Sequence, residues 1–408
     1  MSISDHNQSS PTNRIDLVIR LTIVAELVMV ASTWRLWFCA TDFPRVPLFA
    51  LFLPTPTIIV QAISAAFVVA LINAAVSDWR RSQIPGPTAT TATLTLGCIA
   101  VCCNQHYLQP WHWLFLVTMA FRLGVPTEHL RLVLQRLLPC IYIFAAISRF
   151  GPEVDAGMSR QIVLTILDLN GLQAFTAEPH TVSWLCVGMT MIELTTGLLL
   201  LCKRTQRAGL TSAVFMHLTL IVVLSPLGLN QHPTVMIWNG FLATWAFLLF
   251  ARHTKQPQHR CFPATVATTF CFIWPLLALF GLTDNWTGWQ VYSPRPEVLQ
   301  LQVHSDAVDQ LPPSLQPYME EPNPLEEWCS VRLDRWSLQN ATVPLYPQAR
   351  FQLAIAAAAT AHIATDEHIR ARLIRPATLK WWNRTTTDFL GKRTFDRHPS
   401  NGEPLRQH

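Results

Sequence analysis

The chain has 408 residues, of which 50% are hydrophobic and only 13% charged, with a formal net charge of +5 and a mean hydropathy of +0.26. A soluble domain carries about a quarter charged residues, and a nucleic-acid binder gathers its basic excess on one face. This composition excludes an ordinary soluble domain and offers no nucleic-acid partner; the expected partner is the lipid bilayer.

The start, "MSISDHNQSSPTNR", is polar, and residues 1–14 are expected in the cytoplasm. Apolar runs follow at about 15–34, 56–77, 87–103, 109–122, 133–150, 182–202, 207–227, 234–251 and 263–282, several of them near the ~20 residues that cross a bilayer. They predict an all-α polytopic membrane protein, a bundle of about nine transmembrane helices over 15–282, whose first span reads as an uncleaved signal anchor. That first run contains Asp16, Arg20 and Glu26, and the fourth is short. Asp16 and Arg20 are spaced i,i+4 and are expected to neutralise each other; Glu26 is mid-span with no partner assignable.

The connections sort by charge. Asp78 to Arg81, Arg122 to Arg136, Lys203 to Arg207 and Arg252 to Arg260 are basic, whereas those holding Asn104-Gln105-His106 and Asn230-Gln231-His232 have no Lys or Arg. The alternation satisfies the positive-inside rule with a cytoplasmic N-terminus. Both Asn-Gln-His turns, the loop 150–181 and the tail from Asp284 then lie on the periplasmic face of the inner membrane.

The tail, 283–390, is expected to be a small, Pro-rich, mixed α/β domain. "EVLQLQVH" (Glu297 to His304) alternates as a strand does, and "WCSVRLDRW" (Trp328 to Trp336) is a second candidate. "YPQARFQLAIAAAATAHI" (Tyr346 to Ile363) is helical by propensity, with Pro347 near its start. Residues 391–408 are expected to be disordered. The cysteines include no C-x-x-C pair, and most lie in apolar runs, where Cys acts as a small hydrophobe. A bond between Cys39 and Cys329 is not expected.

Ionisable groups inside a span point to partners or cavities. Glu193 lies twelve residues before the turn at Thr205 and His217 twelve after it, so both sit ~18 Å from that turn in antiparallel neighbours. They form a candidate polar site: a Glu–His bond across the hairpin is within reach, and it reads as a proton-handling or quinone-facing pair or, equally, as a buried contact that only sets helix register. Arg149, at the end of its span, reads first as a side chain snorkelling to headgroups and second as an anion or quinone-carbonyl contact. Asn239 is expected to bond helix to helix. His106 and His232 mark the two outer turns; without further ligands no metal site is expected there.

The segment "LPCIYIFAAISRFG", with the later "GMTMIELTTGLLLLCKRTQRAGLTSAVFMHLTLIVVLSPLGLNQHPTVMIWNGFLATWAFLLF", resembles the MauE/DoxX family of redox-associated membrane proteins in its long planctomycete-type members. The resemblance covers about 133–252, the family's four-helix core, and "NQHYLQPWHW" is similar to the segment preceding it, with Asn104 in place of Asp. It implies an accessory protein tied to respiratory quinone or periplasmic thiol chemistry, with a periplasmic partner reached through the tail. Arg149 stands where the family commonly has Lys, and no cysteine pair is present. A more distant likeness is to the membrane domain of vitamin K-dependent carboxylase-like proteins; there Arg149, always protonated, could not act as a base. The competing reading is a non-enzymatic scaffold whose helices anchor a partner-binding tail. A transporter is disfavoured, since no Gly/Pro-broken spans recur in two halves.

Overall fold

The computed structural model describes residues 11–39, 43–81, 86–151, 153–252, 259, 261–322, 326–376 and 383–391. The expected cytoplasmic segment up to residue 10, most of the basic connection 253–260 and the polar end from residue 392 lie outside them. The protein is mostly helical, at 66%, with a small antiparallel sheet near its C-terminus.

A helix covers each of the nine apolar runs: α1 (Pro11–Ser32), α3 (Thr57–Arg81), α4 (Pro87–Cys103), α5 (Pro110–Gly124), α6 (Thr127–Arg149), α8 (Pro179–Leu201), α9 (Gln206–Leu224), α10 (Pro233–Phe250) and α11 (Phe262–Leu279). Two more interrupt the loops, α2 (Trp34–Phe38) and the unforeseen α7 (Met158–Leu169). Pro stands in the first turn of α4, α5, α8, α10 and α11, where its missing N–H would have found no partner anyway.

Among the described residues six helices are long and apolar enough to cross a membrane: Thr57–Val76, Thr127–Arg149, His180–Leu201, Gln206–Leu224, Pro233–Phe250 and Phe262–Leu279. The composition is that of a multi-pass membrane protein. The other three fall short for physical reasons. α1 carries Arg14, Asp16, Arg20 and Glu26, and α4 and α5 have 17 and 15 residues. α5 is almost wholly enclosed by its neighbours, so its length answers to the protein interior.

Polarity is inverted relative to a soluble bundle. Ile58, Val69, Trp184, Phe215 and Phe262 are exposed, while Glu26, His112, Thr190, His217 and Asn239 are buried. In lipid an apolar side chain gains nothing by turning inward, and a polar one must find a partner inside. α6 is the central helix: 72% of its span is buried, against 28–44% for the other five. α8 approaches it closely at Gly197, where a Cβ would stand 3.0 Å from the Pro139 carbonyl and 2.7 Å from Ile143. At its N-terminal end α6 donates to the last carbonyls of its neighbours, which have no intrahelical partner. Arg131 bonds Leu249 O at 2.7 Å and Arg252 O at 2.8 Å, Gln135 bonds Leu249 O at 2.7 Å, and Arg136 bonds Leu201 O at 3.2 Å.

The tail holds β1 (Val298–His304), β2 (Met319–Glu320), β3 (Trp328–Val331), α12 (Leu333–Asn340), α13 (Ala349–Ala359), β4 (Ile369–Pro376) and β5 (Arg384–Leu390). The sheet order is β2-β3-β1-β4-β5, each pairing antiparallel. The candidate strand 328–336 is corrected in its second half. Only Trp328–Val331 is extended, and Leu333, Trp336 and Ser337 are buried at helical spacing in α12. Pro347 lies just outside α13, whose N-cap is Gln348.

The tail does not hang free. Arg350 forms a two-point ion pair with Asp284, joined by the Tyr346 hydroxyl, and donates through Nε to Gln105 Oε1 at 2.8 Å. Trp286 packs edge-on against Tyr346 at 5.2 Å. Trp113 of α5 donates to Thr287 O at 2.9 Å. The stretch after α11 thus belongs to the end of the bundle, and one continuous apolar core joins bundle and tail.

Candidate functional site

The four residues expected at a polar site, Arg149, Glu193, His217 and Asn239, all line one cavity of about 90 Å³. It lies among α6, α7, α8, α9 and α10, with Val291 and Tyr292 also on its wall. The Glu193–His217 bond does not form. Glu193 pairs instead with Arg149, which also donates through Nη2 to Val291 O at 3.1 Å. The reading of Arg149 as a snorkelling side chain is corrected by the same pair: its side chain is only 11% exposed.

His217 is held on both nitrogens, by Tyr142 Oη at 2.8 Å and by Asn239 Oδ1 at 2.8 Å. Asn239 Nδ2 donates to Val235 O, so its Oδ1 faces the histidine as an acceptor. Nδ1 of His217 must then carry the proton, and Nε2 accepts from the Tyr142 hydroxyl. The result is a directed chain, Tyr142 to His217 to Asn239, spanning α6, α9 and α10. Tyr142 precedes Arg149 by two helical turns, which puts both on one face of α6. That i,i+7 spacing was the available signal for Tyr142, which sequence reading passed over.

One donor in the cavity is left over. Arg149 Nε is buried with no hydrogen-bond partner among the described residues. The stretch holding Tyr292 is also unusual. Trp289 and Tyr292 have positive φ, 63° and 58°, a conformation that bulky residues adopt at a cost of order 1–3 kcal/mol. Burial pushes the Tyr292 phenol up to about 12, with the Arg149 charge pulling the other way.

The outer turns differ from each other. Asn104 Oδ1 accepts from His106 N at 3.2 Å, and His106 Nε2 bonds Pro344 O at 3.0 Å and Ser337 Oγ at 3.3 Å. This turn is the socket into which the tail docks. Burial pushes His106 down to about 4, the Pro344 carbonyl offsetting part of that. His232 instead caps α10, its Nδ1 near Thr234 Oγ1 at 2.8 Å, and that hydroxyl meets Ser32 at the end of α1. Among the described residues no group of three or more His, Cys, Asp or Glu could hold a metal ion.

A second buried pair was invisible in the sequence. Glu26 of α1 meets His112 Nδ1 of α5 at 2.6 Å, both side chains at 0% exposure. Trp37, Phe67, Trp111 and Phe115 ring the imidazole with centroids 5.4–6.1 Å away. Glu26 Oε2 and His112 Nε2 have no partner among the described residues. Asp16 sits in the field of Arg122 as well as Arg20, so its neutralisation is shared between helices.

The chain matches no family model, no curated protein and no solved structure. What fold and composition define is therefore a class: a multi-pass helical membrane protein with a docked α/β tail.

Proposed function

We propose that this is a nine-span protein of the cell inner membrane, with its N-terminus cytoplasmic and its tail periplasmic, acting as a redox-associated accessory protein of the MauE/DoxX kind that holds a quinone ring. The observation that carries the proposal is the orphan Arg149 Nε in the cavity that also holds the Tyr142–His217–Asn239 chain. A quinone carbonyl only accepts hydrogen bonds, and a guanidinium only donates them. Tyr142, whose hydroxyl donates to His217 Nε2, keeps lone pairs with which to accept from a hydroxyl. Glu193 balances the Arg149 charge, so a neutral ring meets a site without net charge.

The size fits a head group only. About 90 Å³ is well below the ~300 Å³ of a pocket that encloses a drug-sized ligand. An isoprenoid tail would leave between α8 and α9, beside the exposed Ile192 and Leu218. A quinone supplies two-electron carrier chemistry when bound. The chain's own residues would orient the ring through Arg149, hold a proton at Tyr142 and exclude water with Val291 and Tyr292. No cysteine lines the cavity, so a thiol would come from a periplasmic partner.

The test is extraction of the protein, purified in mild detergent, for mass spectrometry of bound small molecules. Near-stoichiometric quinone is expected, reduced at least tenfold in a folded Tyr142→Phe variant and in the charge-neutral pair Arg149→Gln/Glu193→Gln. A folded wild type that is empty and takes up no added quinone would refute the proposal. It would leave the scaffold reading, in which helices anchor and the tail recruits the partner.

A further inference from the structure

A larger cavity lies elsewhere. It measures about 520 Å³ and opens where α6 and α11 end against the tail sheet. Its lining follows from strand periodicity. The inner face of β4 runs Ile369, Ala371 and Leu373, all buried, and the next residue on that face is Arg375. Arg375 pairs with Thr385 of β5, and Thr385 and Thr387 share the face of the buried Phe389. The apolar inner face of the sheet thus gives way, at the end nearest the helices, to a guanidinium and two hydroxyls, all lining the cavity.

The opposite wall comes from the stretch after α11. Arg295 is 6% exposed, and it packs so closely on Gly151 that a Cβ there would overlap the guanidinium. Gln290 is 8% exposed, and its Nε2 is a buried donor with no partner among the described residues. Among the described residues the only carboxylate on the wall is Glu297, which already accepts the N–H of Ala349 at 2.5 Å. Arg384, nearby, is matched by Glu153 at 2.7 Å. Arg295 also lies in the field of Glu153, so among the described residues Arg295, Arg375 and Arg384 face Glu297 and Glu153, an excess of one positive charge.

We infer that this cavity binds a phosphate-bearing ligand with one net negative charge, a phosphodiester such as a phospholipid headgroup. Guanidinium groups match phosphate oxygens in geometry as well as charge, and the Thr387 hydroxyl and the Gln290 amide add donors, the Thr385 hydroxyl already donating to the Arg375 carbonyl at 3.3 Å. The place favours lipid. The cavity is bounded by Phe280 and Leu282 at the end of α11, 46% and 68% exposed, so its mouth lies where an apolar helix surface gives way to polar groups.

The test uses the full chain in mild detergent, first delipidated, with three separate probes: dioctanoyl phosphatidylglycerol, dioctanoyl glycerol lacking the phosphate, and inorganic phosphate. Binding is read by tryptophan emission and by native mass spectrometry. Phosphatidylglycerol should bind, and Arg375→Gln should weaken it by roughly tenfold or more, the scale of a lost charge-assisted bond. Thr387→Val, at the sheet end and harmless to its core, should weaken it by a smaller factor. Binding of inorganic phosphate as tight as the lipid's, with the same Arg375 dependence, would uphold the phosphate site and assign it to a free anion. Equal binding of the phosphate-free glyceride, unchanged binding in folded Arg375→Gln, or no binding of any probe by wild type would overturn the inference.

Discussion

The pair of Glu26 and His112 makes the sharpest stability prediction, because both side chains are fully buried and each is the other's only partner among the described residues. Replacing His112 by Leu leaves the Glu26 carboxyl in an aromatic cage with nothing to bond. Breaking a buried pair from one side in this way costs about 3–5 kcal/mol. Replacing Glu26 by Met leaves a neutral imidazole unsatisfied, which costs about 1–3 kcal/mol. Replacing both removes every unsatisfied atom, and such apolar exchanges are often close to neutral. The double variant should therefore be more stable than His112→Leu alone, and with a near-neutral double the coupling equals the two single losses together, roughly 4–8 kcal/mol. Reversible unfolding in mixed micelles measures this, and Trp37 and Trp111, with ring centroids 5.4 and 6.2 Å from their ring neighbours His112 and Trp37, give a local emission signal. If the double variant loses as much as the two singles together, the pair does not couple α1 to α5 and the reasoning fails.

Three further predictions concern the docked tail. His106 is 1% exposed and is held near 4, below the ordinary 6.5, so its contribution is fully present above pH 6.5 and is lost as pH falls toward 4. Over that window the unfolded chain binds the extra proton, and stability should fall by about 3 kcal/mol; His106→Gln, which keeps a donor for the Pro344 carbonyl, should flatten the slope between pH 4 and 6.5. Asp284→Asn should loosen the tail by about 2–3 kcal/mol, seen as faster hydrogen exchange in α13 with the bundle unchanged. Arg350→Lys should not restore the clasp, since an ammonium cannot bond both carboxylate oxygens and Gln105 at once.

Much of this protein was written in its amino-acid order. Long apolar runs with Pro at their starts dictate helices whatever surrounds them, and the helix ends fell close to the ends of those runs. Alternation in Val298–His304 specified β1, because a period of two has only one extended solution. Equal distance from the Thr205 turn put Glu193 and His217 at one depth, since rise per residue in a helix is constant.

Partner choice was another matter. Which helix lies beside which is decided by packing, so the sequence could set Glu193 and His217 level without saying that Arg149 would take the first and Tyr142 with Asn239 the second. Glu26 looked solitary because its partner is 86 positions away on a helix too short to stand out. The role of the Asn104-Gln105-His106 turn was hidden for the same reason: Pro344 and Ser337, which bond His106, are more than 230 residues distant. Local order along the chain sets what each segment becomes and how deep each side chain sits. Only the folded arrangement, in which distant polar groups must satisfy one another where water is absent, decides what each one touches.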